Sequence, residues 1–453
     1  MGKLFGTDGV RGMANQYPIT PEIAVRIGRA VACLLTGGSR NENHWHQVLI
    51  GRDTRISGPM LEYALASGIC SMGVDAVTAG VIPTPGISYL TASTDAGAGI
   101  VISASHNPYF DNGIKIFNSR GFKLSDEQEG RIEEMVLDDN HAKQAESIRN
   151  TGSVRYLEDS IPMYVAFLKR CLPIDFSLHG MKIVLDCANG ATFQAGEQIF
   201  QELGAKVIAL SCEPDGRNIN HACGSQHPEK LSGIVLSENA DIGLAFDGDG
   251  DRLIVVDEQG KIATGDRILA ACAVSMKKQG ILRNNLLVTT IMSNIGLGVA
   301  LEENGIRHVA ANVGDRYVME EMIRHDAIIG GEDSGHMIFL DQHTTGDGIL
   351  AALRLISSMK HENRIASEFL STMIVFPQKL INVDVKSKPE IHTLPELTAV
   401  IRSVETKLGN KGRVLVRYSG TQSMCRVMVE GPTAAITQEY CERIADVVKA
   451  VLG

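Results

Sequence analysis

The chain reads as three related α/β domains followed by a smaller α+β domain, and two observations predict this. A strand, a small-residue turn, an amphipathic helix and a second strand recur three times at unequal spacing, and from Leu380 onward the order changes to β-α-β-β-α. At 453 residues and 44% hydrophobic content the chain is long enough to hold several cores, on a prior of ~150 residues per domain.

In the first repeat Val48–Ile50 is a strand that leads through Arg52, Asp53 and Thr54 into a helix from about Pro59 to Met72, stopped at Gly73, with a strand at Val74–Val77. In the second, Lys182–Leu185 leads through Ala188, Asn189 and Gly190 into a helix ending at Gly204, then the strand Lys206–Ile208. In the third, Leu286–Thr289 leads through Ser293 and Asn294 into a helix ending at Gly305, then Arg307–Val309. Each helix stops at a glycine, the residue that accepts the left-handed turn after a last helical carbonyl, so each unit reads as a βαβ crossover. Unequal spacing excludes a solenoid.

The final region reads as a strand at Leu380–Val385, a helix at Leu394–Leu408, strands at Arg413–Arg417 and Cys425–Val429, and a closing helix at Ala434–Leu452. Polar linkers are expected at 138–154 and 372–378. The domain limits are then 1–155, 156–257, 258–374 and 375–453.

A formal charge of −10 argues against sequence-independent binding of nucleic acid, so phosphate recognition has to come from local basic pockets. The nine cysteines are odd in number and contain no C-x-x-C pair, which fits a reducing compartment, the cytoplasm, and neither a disulfide framework nor a zinc site. No apolar run reaches the ~20 residues of a membrane helix, and the N-terminus lacks the apolar core of a signal peptide. Neither nucleic acid nor membrane is expected as a partner, and the oligomeric state stays open, a homodimer included.

The chemistry concentrates in four loops. Asp247-Gly248-Asp249-Gly250-Asp251, followed by Arg252, lies between a strand running in (240–246) and one running out (253–256). Three carboxylates that close repel one another unless a cation lies between them, and the glycines allow the turn that makes them converge. An all-oxygen set favours a hard cation, Mg²⁺ before Ca²⁺ or Mn²⁺. Glu258 falls at the twelfth position of a calcium-loop pattern, but Arg252 stands where that loop needs glycine and the flanks are strands, so an EF-hand is rejected. The plainer alternative is a solvated acidic turn.

In Ser103-Ala104-Ser105-His106-Asn107-Pro108, Ser105 is presented at a strand end, where α/β folds place ligands. His106 is expected to point away from Ser105 in an extended chain, which argues against a serine-histidine nucleophile pair. The loop Gly330–His336 gathers Glu332, Asp333, Ser334 and His336, a set of acceptors, a hydroxyl and an imidazole that suits a polyol such as a sugar. The loop Arg417–Ser423, with Arg426 after it, combines guanidinium groups, hydroxyls and a glycine, a composition that clasps phosphate. Each of these three could instead be an ordinary polar turn.

Taken together and in this order, Ser-Ala-Ser-His-Asn-Pro, Asp-Gly-Asp-Gly-Asp-Arg, Gly-Glu-x-Ser-Gly-His and Arg-x-Ser-Gly-Thr resemble the loops of the α-D-phosphohexomutase superfamily along the whole chain. Phe5–Gly12, Pro214–Asn220, Gly314–Val318 and Thr344–Gly348 resemble its bacterial phosphoglucosamine mutases. The resemblance implies four domains around a central cleft, three with mixed sheets, and an intramolecular phosphotransferase. Its substrate would be a small sugar phosphate. Phosphate would pass between the 6- and 1-positions of glucosamine through a phosphoserine and a glucosamine 1,6-bisphosphate, which also serves as activator, toward UDP-N-acetylglucosamine and cell-wall precursors. Phosphoglucomutase or phosphomannomutase activity is the alternative.

Residue by residue, the resemblance implies phosphate on Ser105 and one Mg²⁺ per active site on Asp247, Asp249, Asp251 and a phosphoserine oxygen. Arg11 and Lys115 would stabilise the transferred group, and Lys115 could also handle a proton. Glu332 and Ser334 would hold ring hydroxyls, and His336 would be the general base, an imidazole being ionisable near working pH. Arg417, Ser419, Gly420, Thr421 and Arg426 would clamp the other phosphate, while Arg252 would orient the metal loop, meet a phosphate or form a structural salt bridge. The chain departs from the family pattern at Gln422-Ser423, where Glu-Pro is usual, which predicts a looser phosphate loop. It departs again at Asp333, where Gln is common. A metal-dependent phosphatase with Asp247 as nucleophile, and a non-catalytic sugar-phosphate or cation binder, are the other readings weighed.

Overall fold

The computed structural model describes residues 4–6, 8–36, 47–138, 150–419 and 423–453. Of the two expected linkers, the first lies largely outside them. The chain forms two compact units, one of residues 1–292 and 306–372, the other of 293–305 and 373–453.

The first unit holds three mixed sheets. In a six-stranded sheet the parallel strands Ala98–Ile102, Gln47–Arg52, Asp75–Val81 and Val154–Tyr156 lie side by side, and Asp111–Asn118 and Val10–Met13 add to one edge antiparallel. A five-stranded sheet sets Ile242–Phe246, Lys182–Asp186 and Lys206–Leu210 parallel and extends antiparallel through Leu253–Asp257 and Ile262–Ala263. A four-stranded sheet runs Arg307–Ala311, Leu286–Thr290 and Ile329–Gly331 parallel, with Met337–Phe339 antiparallel at its edge. All three predicted crossovers pair their two strands in parallel, as βαβ units must.

The strands on either side of the aspartate loop, Ile242–Phe246 and Leu253–Asp257, are buried at every residue. Continuous apolar character, not alternation, is what a strand covered on both faces needs, and burying each Val, Leu or Ile contributes roughly 1.5–3 kcal/mol. Helix ends follow the local rules. Ser125 and Gln128 form a reciprocal capping box at the start of Asp126–Leu137, and Gly73, Gly204 and Gly305 take φ of 76°, 93° and 60° after their helices.

The second unit is an antiparallel sheet ordered Gln378–Asp384, Met424–Glu430, Arg413–Tyr418, with the helices Pro395–Leu408 and Ala434–Leu452 closing over a core that includes Leu397, Val404, Cys425, Val427, Cys441, Ile444 and Val448. The helix Ile295–Glu303, the crossover of the third βαβ unit, belongs by its contacts to this second unit. Its N-terminus is held by Asn294, which accepts from Gly296 N, and by Glu430, which accepts from Ile295 N at 3.0 Å. Asn294 also donates to Phe376 O and accepts from Phe376 N. Among the described residues no helix is long and apolar enough to cross a membrane.

Candidate active site

The aspartate loop turns as its glycines require. Gly250 sits at φ 73°, and Gly248 runs so close to the serine loop that a Cβ there would lie 2.6 Å from Ser105 O. Asp247, Asp249 and Asp251 converge, all buried, with one carboxylate oxygen from each within 4.8 Å of the others. The loop is fixed to its surroundings through its backbone: Thr84 N donates to Asp249 O, Ala191 N to Gly248 O and Gly348 N to Gly250 O.

Ser105 Oγ donates to Asp247 Oδ2 at 2.5 Å. Ser105 has φ 52°, a left-handed conformation that costs a non-glycine residue about 1–3 kcal/mol and persists only where neighbours enforce it. This turn corrects the expectation for His106. Because the chain is not extended there, His106 Nδ1 comes to 3.3 Å from Ser105 Oγ. Burial first, then the nearby Arg252 and Arg11, push the His106 pKa down to about 4, so the ring is neutral near pH 7.

Lys115, on Asp111–Asn118, reaches Asp249 Oδ2 at 2.9 Å, Asp8 Oδ2 at 3.2 Å and Asp251 Oδ2 at 3.4 Å. Burial opposes its charge, but Asp249, Asp8 and Asp251 outweigh it and hold the pKa well above the usual lysine value. Arg11 pairs with Asp8 and donates to Ala104 O at 3.4 Å, next to the serine.

Asp8, Lys123 and Asp315 form a connected group that sequence reasoning passed over. Asp8 Oδ1 accepts from Lys123 Nζ at 2.5 Å, Lys123 also pairs with Asp315, and Asp315 Oδ2 lies 3.7 Å from His336 Nε2. Asp8 and Asp315 were visible only as letters of the Phe5–Gly12 and Gly314–Val318 motifs. The charges they carry are paired by a lysine far away in sequence. A cavity of about 550 Å³ opens beside this group, lined by Lys123, Asp315, Arg316, His336, Thr344 and Thr345 among others.

His336 is 4% exposed, and neither ring nitrogen has a hydrogen-bond partner. Its backbone bridges to Arg252, and Leu253 N donates to Gly335 O, so the loop predicted for sugar is stitched to the loop predicted for metal. Ser334 Oγ and Arg252 Nε are likewise buried without hydrogen-bond partners. Arg252 reaches Asp251 only at 3.8 Å, a loose ion pair. Glu332 Oε1 accepts from Gly314 N at 3.0 Å, which ties the Glu332 loop to the Gly314–Val318 segment.

The second unit carries the phosphate-loop residues. Arg417 and Arg426 are register partners on adjacent antiparallel strands, and Arg426 Nε is buried without a partner. Ser419 N donates to Met424 O, and Lys388, not singled out by sequence, donates to Ser419 O at 2.7 Å. Gly420, Thr421 and Gln422 lie outside the described residues.

A divalent cation fits the aspartate site. Asp249 Oδ1 and Asp251 Oδ1 are buried acceptors with no donor, and every donor atom the site offers is a carboxylate or hydroxyl oxygen.

Four family models match along the chain, phosphoglucomutase/phosphomannomutase alpha/beta/alpha domains I, II and III over residues 2–143, 162–260 and 264–375, and the C-terminal domain over 380–447. A phosphoglucosamine mutase of Syntrophus aciditrophicus is 59% identical over 453 residues, covering all of both chains. Among solved structures, a phosphoglucomutase/phosphomannomutase family protein of Burkholderia thailandensis superposes with a TM-score of 0.80 at 24% identity, over 99% of this chain and 98% of its own. The Aspergillus fumigatus N-acetylphosphoglucosamine mutase, solved with GlcNAc-6P and magnesium, superposes at 0.66 with 17% identity, over 99% and 95%. The chain belongs to the phosphoglucomutase/phosphomannomutase family, in the branch of the bacterial phosphoglucosamine mutases.

Proposed function

We propose that this chain interconverts glucosamine 6-phosphate and glucosamine 1-phosphate by way of a phosphoserine at Ser105 and glucosamine 1,6-bisphosphate. The observation that carries the reading is Ser105 Oγ, turned inward by a left-handed backbone and seated 2.5 Å from one of three converging buried carboxylates. A phosphoryl group on that oxygen needs positive charge around it. Asp247, Asp249 and Asp251 would hold Mg²⁺, which when bound supplies such charge to the phosphoryl oxygens. The magnesium complex of the fungal relative, and Asp249 Oδ1 and Asp251 Oδ1 without a hydrogen-bond donor, support the choice of metal.

Lys115 and Arg11 add fixed cations at the same place. In transfer, the bond from phosphorus to Ser105 Oγ breaks as a bond to the free sugar hydroxyl forms. The hydroxyl proton passes to His336, whose ring nitrogens are both uncommitted. The bisphosphate then presents its other end: the bond from that phosphorus to the sugar oxygen breaks as one to Ser105 Oγ forms, and the sugar oxygen takes back the proton held on His336. Glu332 and Ser334 would hold hydroxyls that look alike from either end of the ring, and Arg417, Ser419, Gly420, Thr421 and Arg426 would take the phosphate that stays. We assign the serine, metal, sugar and phosphate loops to domains 1–155, 156–257, 258–374 and 375–453.

Intact mass and peptide mapping of the purified protein test the reading: phosphate on Ser105 is expected. Turnover undiminished in Ser105→Ala would overturn it. A panel of glucosamine, glucose and mannose 6-phosphates tests the substrate, with glucosamine 6-phosphate expected to give the highest kcat/KM.

A further inference from the structure

Two side chains that take no part in this chemistry hold the backbone on which Ser105 rides. Arg55 is fully buried, and its Nη2 donates to Ser105 O at 3.0 Å and to Asn107 O at 2.7 Å. Asn220 Nδ2 donates to the same two oxygens, at 2.9 and 3.0 Å. Arg55 is itself placed by Asp53, 3.3 Å from its Nε, and Asp53 accepts from Ser103 Oγ, which in turn accepts from Ser105 N. Asn220 is placed by its own left-handed backbone, φ 58°, and by donation from its N–H to Ala188 O.

One pair of carbonyls is therefore gripped from two sides, by one residue from each of two different sheets' loops. A peptide group turned inward between these donors leaves Ser105 no extended alternative. That accounts for its strained φ, which no bond made by the serine side chain alone would hold.

We propose that Arg55 and Asn220 are positioning residues that fix the direction of the Ser105 Oγ–phosphorus bond, so that the phosphoryl group lies in line with a sugar hydroxyl and out of line for water. The inference rests on the phosphoserine reading above. It also gives a use to the Pro214–Asn220 motif, which the mechanism leaves idle. In-line transfer tolerates little misplacement, a shift of about 1 Å costing ~100-fold, whereas water can approach a loosened phosphoryl group from many directions.

Asn220→Asp keeps the side-chain shape but removes both donors, and Asn220→Ala removes the group altogether. Each is expected to lower kcat ~100-fold with KM for the sugar phosphate little changed. In each, phosphate lost from Ser105 to water, relative to phosphate delivered to sugar, should rise at least ~10-fold. A smaller folded fraction lowers both rates together and leaves that ratio alone, so the ratio separates positioning from mere structural support. Arg55→Lys, which keeps the charge beside Asp53 but not the forked reach, should raise the ratio as well. An unchanged ratio in all three variants, with Ser105 phosphorylated in the parent protein, would overturn this inference alone. Absence of phosphate on Ser105 in the parent protein would overturn the function and this inference together.

Discussion

At His336 the structure isolates one imidazole in a buried position, with Asp315 3.7 Å away and no committed hydrogen bond. Positioned general bases contribute about 10²–10⁴-fold, so His336→Asn should lower kcat within that range and leave KM close to the parent value. Steady-state kinetics check this, and a loss confined to KM would reassign His336 to binding. Gly248 makes a second residue-scale case. A methyl group there would meet Ser105 O at 2.6 Å and Asn220 Nδ2 at 2.7 Å. Gly248→Ala should therefore cost about 1–3 kcal/mol and depress kcat as well, because the strain falls on the serine loop. Wild-type melting and turnover in that variant would show that the two loops separate easily. The letters to which the proposed chemistry is assigned, Ser105, Asp247, Asp249, Asp251 and His336, stood out in the sequence because each lies in a short run of unusual composition. The groups that position them did not. Arg55 and Asn220 lie 50 and 115 residues from Ser105, and His106 was misread because nothing local announces a left-handed serine.

Among the elements, the helix Gly348–Glu362 begins on a buried acid. Asp347 accepts from Leu350 N at 2.9 Å and from Tyr164 Oη at 2.8 Å. Burial raises its pKa to about 7, against the lowering effect of those donors. A carboxyl group raised in the folded state adds stability that is complete below its unfolded pKa of ~3.9 and is lost as pH climbs through the folded value. Asn at this position can keep the Oδ1 acceptor for Leu350 N, turns an amide NH₂ toward Tyr164 Oη, and cannot ionise. The melting temperature of Asp347→Asn relative to the parent should then improve steadily between pH 5 and pH 8. A difference that stays constant across that window would mean Asp347 does not titrate there. The crossover strands and helices that the sequence named lie within about four residues of those observed, since glycine stops and apolar runs are local signals, but helices such as Pro21–Thr36 and Gly265–Lys278 were not named. Asp347 was quoted only as part of a motif, because a cap buried against a tyrosine from another helix leaves no mark in periodicity.

On the scale of the whole molecule, the two units have separate cores, and the three converging carboxylates all lie in the first. Ligand binding stabilises only what it binds, by about 2.7 kcal/mol at a hundredfold excess over Kd. Differential scanning calorimetry in EDTA and in Mg²⁺ is therefore expected to show the transition of residues 1–292 and 306–372 moving upward with Mg²⁺ while that of the other unit stays put. Equal movement of both, or of neither, would count against a site confined to Asp247, Asp249 and Asp251. The four-part division was legible from the recurring crossovers. The allegiance of the helix Ile295–Glu303 was not, since its bonds to Phe376 and Glu430 span more than eighty residues.

That allegiance bears on how the chain is made. The helix leaves the ribosome well before the strand Met424–Glu430 exists, a delay on the order of ten seconds at common synthesis rates. Until then the third βαβ unit has its two parallel strands but lacks the partner of its crossover, and Ile295 N has no Glu430 to receive it. Completion of the last segment is thus also the event that seats a helix made much earlier, and a nascent chain halted before Met424 would expose the apolar side of that helix to chaperones.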